Sequence, residues 1–137
     1  MTNAEVLQDW GRAELDLLRG RLRARAAELR EEVRRDLLKA DDDRARALAD
    51  RVNDLEDDSV VDLIVDLDLF DIDRDLHEWR EVEAALARMR QGTYGVCPDC
   101  DQRIAWPRLD AWPTAVRCTR CQDLHERTHA HAGTPSL

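Results

Sequence analysis

All four cysteines of the chain fall in two CxxC pairs, Cys97-Pro98-Asp99-Cys100 and Cys118-Thr119-Arg120-Cys121, separated by seventeen residues. Each pair forms a tight knuckle that offers two thiolates from one side, so two pairs joined by such a loop converge on one tetrahedral ion. The spacing therefore predicts a structural zinc site at Cys97, Cys100, Cys118 and Cys121. Iron would also suit four thiolates, but zinc is the commoner occupant. A disulfide framework needs an oxidising compartment, and residues 1–10 show no basic segment leading into an apolar one, the mark of an export signal. The expected location is the cytoplasm. A thioredoxin-like redox pair would occupy a strand-to-helix junction, whereas both pairs lie in a strand-poor stretch punctuated by proline.

The rest of the chain reads as helix. Charged residues make up 37% and aromatics only 4%, the composition of long helices or a coiled coil and not of a thick core. Apolar residues at Leu15, Leu18, Leu22, Ala26, Leu29, Val33, Leu37 and Ala40 step by threes and fours, which makes one stripe along a helix. With Thr2 or Asn3 as a cap and no proline before Pro98, this helix is predicted from residue 4 to about 50. A second stripe runs through Leu69, Ile72, Leu76, Trp79, Val82, Leu86 and Met89, and Gly92 is a suitable breaker at its end. The segment Val65-Asp66-Leu67-Asp68-Leu69 alternates like a strand, but the parity shifts at Phe70 and a lone strand has no partner, so it too is read as helix. Two long stripes without other large partners should bury each other as an antiparallel hairpin. If residues 59–92 are one helix, the arm is about 50 Å long at roughly 1.5 Å per residue.

Asn53 to Ser59 is the best place for the reversal, because Asn, Asp and Ser favour turns and helix starts. The net charge of −9 is concentrated there: residues 41–75 carry 4 basic and 14 acidic groups, while the flanking segments are nearly balanced. An acidic surface of this kind argues against a grip on nucleic-acid phosphates. No apolar run approaches the roughly 20 residues that span a bilayer. Trp10, Trp106 and Trp112 are expected to fill a small core at the helix base. His125, His129 and His131 follow the last cysteine but are surplus to a complete four-thiolate site, and His77 reads as surface.

Residues 92–121 resemble the DksA/TraR C4-type zinc-finger family. The resemblance rests on Gly92, Tyr94, Gly95, Cys97 and Cys100, then Ile104, Arg108, Leu109, Ala111, Pro113 and Ala115, then Cys118 and Cys121, all at the family's spacings. Asp101 departs from it, standing where the family usually has glycine. The resemblance implies a non-enzymatic transcription regulator that binds RNA polymerase directly, as a monomer, without specific DNA contact. Family members insert a coiled-coil arm into the polymerase's secondary channel, with an acidic DxxDxA tip. Counting back from Cys97, that tip falls on residues 54–59, so Asp54 and Asp57 match its carboxylates and Ser59 replaces its alanine. Arg108 belongs to the finger motif and is a candidate contact with the channel rim. Positions aligned with the family's alarmone-binding cations hold Glu81, Trp112 and Gln122, so an incomplete alarmone site is expected.

The expectation is a mainly α chain: residues 1–92 as a helical hairpin with its tip near 53–59, residues 93–127 as the four-cysteine module with a terminal helix, and residues 128–137 as a flexible tail. The competing reading is a zinc-capped coiled coil that dimerises or binds another helix. A thiol redox or metal-storage protein is a weaker third.

Overall fold

A computed structural model describes residues 10–133. The expected caps Thr2 and Asn3, the side chain of His131 and the tail residues Pro135 and Ser136 lie outside them. The described residues form two compact units, one of Gly20–Ala84 and one of residues 10–19 with 85–133. The helices are α1 (Arg12–Lys39), α2 (Asp43–Ala49), a 3-10 turn (Val52–Asp54), α3 (Asp58–Val65), α4 (Phe70–Gln91), α5 (Trp106–Ala111) and α6 (Thr119–Gly133). Among the described residues there is no β-strand, only an antiparallel bridge between Val96 and Arg103.

Within residues 20–84, α1 and α4 run antiparallel. Arg25 pairs with Glu78 at 2.5 Å, while Asp36 and Lys39 share a groove with Asp71 and Ile72, so residue numbers climb on one helix as they fall on the other. Both stripes are buried as expected: Leu22, Leu29, Val33 and Leu37 on α1, and Ile72, Leu76, Trp79 and Val82 on α4.

The two long helices are not continuous, which corrects the expected spans of 4–50 and 59–92. The first ends at Lys39, and Asp42 starts α2, its extended backbone and its carboxylate accepting the Arg44 N–H at 2.8 Å. An aspartate in this position satisfies a free N–H of a new helix and competes with continuation of the old one. The second break spans residues 66–69, where Asp68 adopts φ +57°. Residues 66–69 of the alternating segment are thus neither strand nor helix, and Val65 is the last residue of α3. Asp73 faces the break, and burial followed by the Asp68 charge pushes its carboxyl above the usual range.

These breaks fold the acidic turn back. Arg30, in the middle of α1, forms an ion pair with Glu56 and lies 5.6 Å over the Trp79 ring. The turn at residues 50–57 therefore lies beside α1, not beyond its end. Ala45, Ala49, Val52, Leu55, Val60, Val61 and Ile64 are all buried, so α2 and α3 complete a four-helix body with α1 and α4. Each of the valine, leucine and isoleucine side chains among these contributes roughly 1.5–3 kcal/mol if fully removed from water, which outweighs the largely exposed Arg30–Glu56 pair.

One carboxylate inside this body is poorly placed. Asp75 is only 6% exposed, its nearest cation being Arg74 at 3.8 Å. Burial first, then the charge of Glu32 across the helix pair, pushes it above its ordinary value of 3.8. A raised carboxyl disfavours the charged form in the folded state, so the associated stability is fully present below 3.8 and lost as pH rises through the raised value. The caps act oppositely. Asp42, held low first by Arg44, and Asp57, held low first by the Ser59 hydroxyl, stabilise the fold at neutral pH and lose that contribution as pH falls through their depressed values. Asp75→Asn should raise the thermal midpoint at pH 7 by a few degrees and reduce the gain seen on mild acidification. A lower midpoint in a thermal melt monitored by circular dichroism would count against this assignment.

Candidate metal centre

The first knuckle is built on the bridge between Val96 and Arg103. Cys97 N–H donates to the Gln102 carbonyl at 2.8 Å, Asp101 N–H to the Cys97 carbonyl at 2.8 Å and Ile104 N–H to the Gly95 carbonyl at 2.8 Å. The turn requires a left-handed residue, and Asp101 supplies it at φ +60°. Aspartate tolerates this region better than most side chains, so the departure from glycine leaves the knuckle closed. Gly92, at φ +76° after α4, terminates that helix as expected, with Thr93 N–H donating back to the Arg88 carbonyl at 2.9 Å.

The second pair opens α6. Cys118 stands just before its first residue, and its sulfur accepts the Cys121 N–H at 3.4 Å. This satisfies one of the free N–H groups at the helix start. The knuckles are braced by Asp99, which accepts from Arg117 Nε at 2.9 Å.

All four sulfurs lie within 4.8 Å of one another, and Cys100 and Cys118 are 3.8 Å apart. A tetrahedral zinc with bonds of about 2.3 Å separates its sulfurs by about 3.8 Å, whereas a disulfide needs about 2.05 Å. All four cysteines are free, Cys97 and Cys121 buried and the others half-buried. Their protons are unevenly held. Burial pushes the Cys97 thiol up, but the backbone N–H groups of Cys118, Asp99 and Cys100 outweigh it and hold it at about 6. The hydrogen bond with Cys118, followed by burial, pushes Cys121 up to about 12. Four sulfurs this close carry their full charge only around a cation, which zinc supplies; the closed shell leaves no open coordination position.

A small apolar core supports the centre. Trp10 is buried, donates from Nε1 to the Ile104 carbonyl at 2.9 Å, and meets Tyr94 edge-on at 6.3 Å. Gly95 has φ +78°, and a Cβ there would lie 2.2 Å from the Trp10 ring, so both conformation and space require glycine. The expected three-tryptophan core is corrected: Trp106 is half-buried and Trp112 is 42% exposed. Arg108 lies 4.9 Å over the Trp112 ring and donates from Nε to the Arg117 carbonyl at 2.9 Å. Neither this role nor the Asp99–Arg117 brace has a sequence signature, because both depend on how the two knuckles face.

The acidic positions belong to the other unit. Asp54 is exposed and pairs with Arg51 at 3.4 Å. Asp57 is the N-cap of α3, accepting the Ser59 hydroxyl at 2.7 Å and the Ser59 N–H at 3.0 Å. The cap is therefore Asp57, and Ser59 is the donor. Glu81 pairs with His77 at 2.9 Å, and Gln122 donates to Glu126 at 3.0 Å.

Comparison with known proteins places this geometry in context. A family model described as the prokaryotic dksA/traR C4-type zinc finger matches residues 92–127. General stress protein 16O of Bacillus subtilis is 46% identical over 63 residues, which are 46% of this chain and 37% of that protein. The RNA polymerase-binding transcription factor DksA of Haemophilus influenzae is 35% identical over 60 residues, 44% of this chain and 41% of that one. An 8.2 kDa protein in the gpA 5′ region of Escherichia phage P2 is 35% identical over 52 residues, 38% of this chain and 70% of its own length. The chain spans about a third of the length of the first curated relatives it matches. Transcription factor DksA2 from Pseudomonas aeruginosa shares the fold, with a TM-score of 0.58 at 22% identity over 96% of this chain and 95% of that one.

Because structural zinc supplies roughly 10–16 kcal/mol of folding free energy in small modules, Cys97→Ser should lose the metal and unfold residues 85–133. Metal content and tryptophan fluorescence report both; full zinc occupancy with unchanged fluorescence would contradict the four-thiolate assignment.

Proposed function

We propose, for a chain that belongs to the DksA/TraR C4-type zinc-finger family, that it binds RNA polymerase directly and regulates transcription by directing an acidic turn into the secondary channel. It acts as a monomer in the cytoplasm, without specific DNA contact and without catalysing a reaction. The observation that carries this reading is the display of Asp54 and Asp57, the two positions aligned with the family's tip carboxylates, on the exposed side of a turn anchored by buried Val52 and Leu55. A rigid base fixes where the charge points, so it can meet a basic or metal-bearing partner without first being ordered. The acidic excess of residues 41–75 supports a protein partner over nucleic-acid phosphates.

Both apolar stripes are buried within one chain, which leaves the dimerising coiled-coil reading without the free stripes it needs. The carboxylates are carried by a four-helix body, which is broader than a two-helix arm, so depth of penetration is the discriminating quantity. We assign Arg108 to bracing the finger, since its guanidinium is engaged by the Arg117 carbonyl and the Trp112 ring. Rim contact by Arg108 would have to break that arrangement. The aligned alarmone positions Glu81, Trp112 and Gln122 carry no cation, and an anionic ligand needs one.

Asp54→Asn combined with Asp57→Asn removes charge yet keeps the cap, because asparagine caps about as well as aspartate. The double variant should bind polymerase within a few-fold of wild type while changing promoter output in purified transcription. Photocrosslinks from position 57 should fall inside the secondary channel; crosslinks confined to the outer surface, or equal loss of binding and output, would contradict the reading. Guanosine tetraphosphate should leave the effect of the purified protein unchanged, and clear enhancement would overturn the incomplete-site assignment.

A further inference from the structure

Next to the four cysteines is a pair of histidines that the closed thiolate shell does not use. His125 and His129 are one helical turn apart on α6, with ring centroids 3.8 Å apart and planes tilted by 31°. The His129 ring approaches the His125 carbonyl through Nδ1 at 2.9 Å. A carbonyl accepts only from a protonated nitrogen, so Nδ1 carries the hydrogen and, in the neutral ring, Nε2 is the nitrogen left with a lone pair. Metal-binding histidines are commonly oriented by this kind of second hydrogen bond. Histidines four residues apart on a helix share a face, and a tetrahedral ion with bonds of about 2.0–2.1 Å needs its two nitrogens about 3.4 Å apart. The ring centroids stand 3.8 Å apart, and chelation would turn the near-parallel rings until a nitrogen of each meets the same ion.

The location of the pair gives it a role. His125 and His129 line one open cleft of 540 Å³ together with Asp99, Cys100, Cys121 and Arg120. Two of the four zinc-ligating cysteines therefore border the same water-accessible space as the imidazoles. The Asp99 carboxylate is already paired with Arg117 at 2.9 Å, and Arg120 adds a second cation, so the cleft does not trap divalent ions by charge alone.

We propose that His125 and His129 form a second, solvent-open transition-metal site that captures zinc and passes it to the neighbouring thiolates. Two imidazoles and water hold zinc far more weakly than four thiolates, so the direction of transfer is fixed by ligand softness. In the transfer, zinc–nitrogen bonds break as zinc–sulfur bonds form. Protons still held by the thiols leave to solvent, and no electron moves. This inference does not depend on polymerase binding, so either can fail without the other.

The test uses the full-length, zinc-loaded protein. Added zinc should perturb the ring NMR signals of His125 and His129 together, saturating in the micromolar range, while His77 on α4 does not respond. In a parallel experiment, displacement of bound zinc by cadmium, followed through thiolate-to-cadmium absorption, should slow several-fold in His125→Gln/His129→Gln. The single variant His129→Gln should give an intermediate rate, and His77→Gln should match wild type. Helix content by circular dichroism confirms that each variant is folded. No response at the pair, a response equal to that of His77, or cadmium exchange at the wild-type rate in the double variant would each overturn the proposal.

Discussion

A carboxylate that accepts the unsatisfied N–H groups of a helix start can end one helix and begin another without proline. Two such caps determine how residues 20–84 are laid out. Asp42 follows the end of α1 and starts α2, and Asp57 closes the turn and starts α3. Because the chain reverses at Asp42, the next fifteen residues return along α1, bringing Glu56 to Arg30. Once returned, they add Ala45, Val52, Leu55, Val60 and Ile64 to a core that α1 and α4 would otherwise close alone. The caps set the path, and burial of these side chains holds it.

The other unit depends on a different constraint. Residues 85–133 contain little apolar mass, and their order comes from the demand of four crowded sulfurs for a cation. Trp10, in the same unit just before α1, is held by Ile104, Tyr94 and the bare backbone of Gly95. Within one chain, then, a metal-dependent module and a hydrophobic four-helix body are stabilised by separate physics. The thiolates hold the metal module together, and in the proposed function the carboxylates of the acidic turn are the groups offered to a protein partner.

Much of this was legible in the residues. Cysteine spacing specified the metal site because ligand geometry tolerates few alternatives, and the apolar stripes identified the buried faces of α1 and α4 because helical period is a strong local signal. Gly92 and Asp101 were readable for the same reason: a left-handed residue is required at each. The reversal at residues 40–42 was visible in principle, since three consecutive aspartates, Asp41 to Asp43, run into the start of α2, but charge runs usually lie on a solvated helix face and the apolar stripe extends to Ala40. The alternating segment at 65–69 misled because both regular periods fail there; the chain simply turns, with Asp68 left-handed. Which residues meet across the structure, such as Arg30 with Glu56 or Asp99 with Arg117, depends on tertiary packing that no local pattern encodes.

The layout of residues 20–84 depends on the acidic turn lying against α1. It can be measured directly by placing spin labels at exposed Glu31 and Asp58 and recording their separation in the zinc-loaded protein by double electron–electron resonance. The folded-back arrangement predicts a short distance, on the order of 10–20 Å with label linkers, as for neighbouring helices. An uninterrupted hairpin with its reversal near residue 55 would place the labels roughly 35 Å apart, and a distribution centred there would contradict the account.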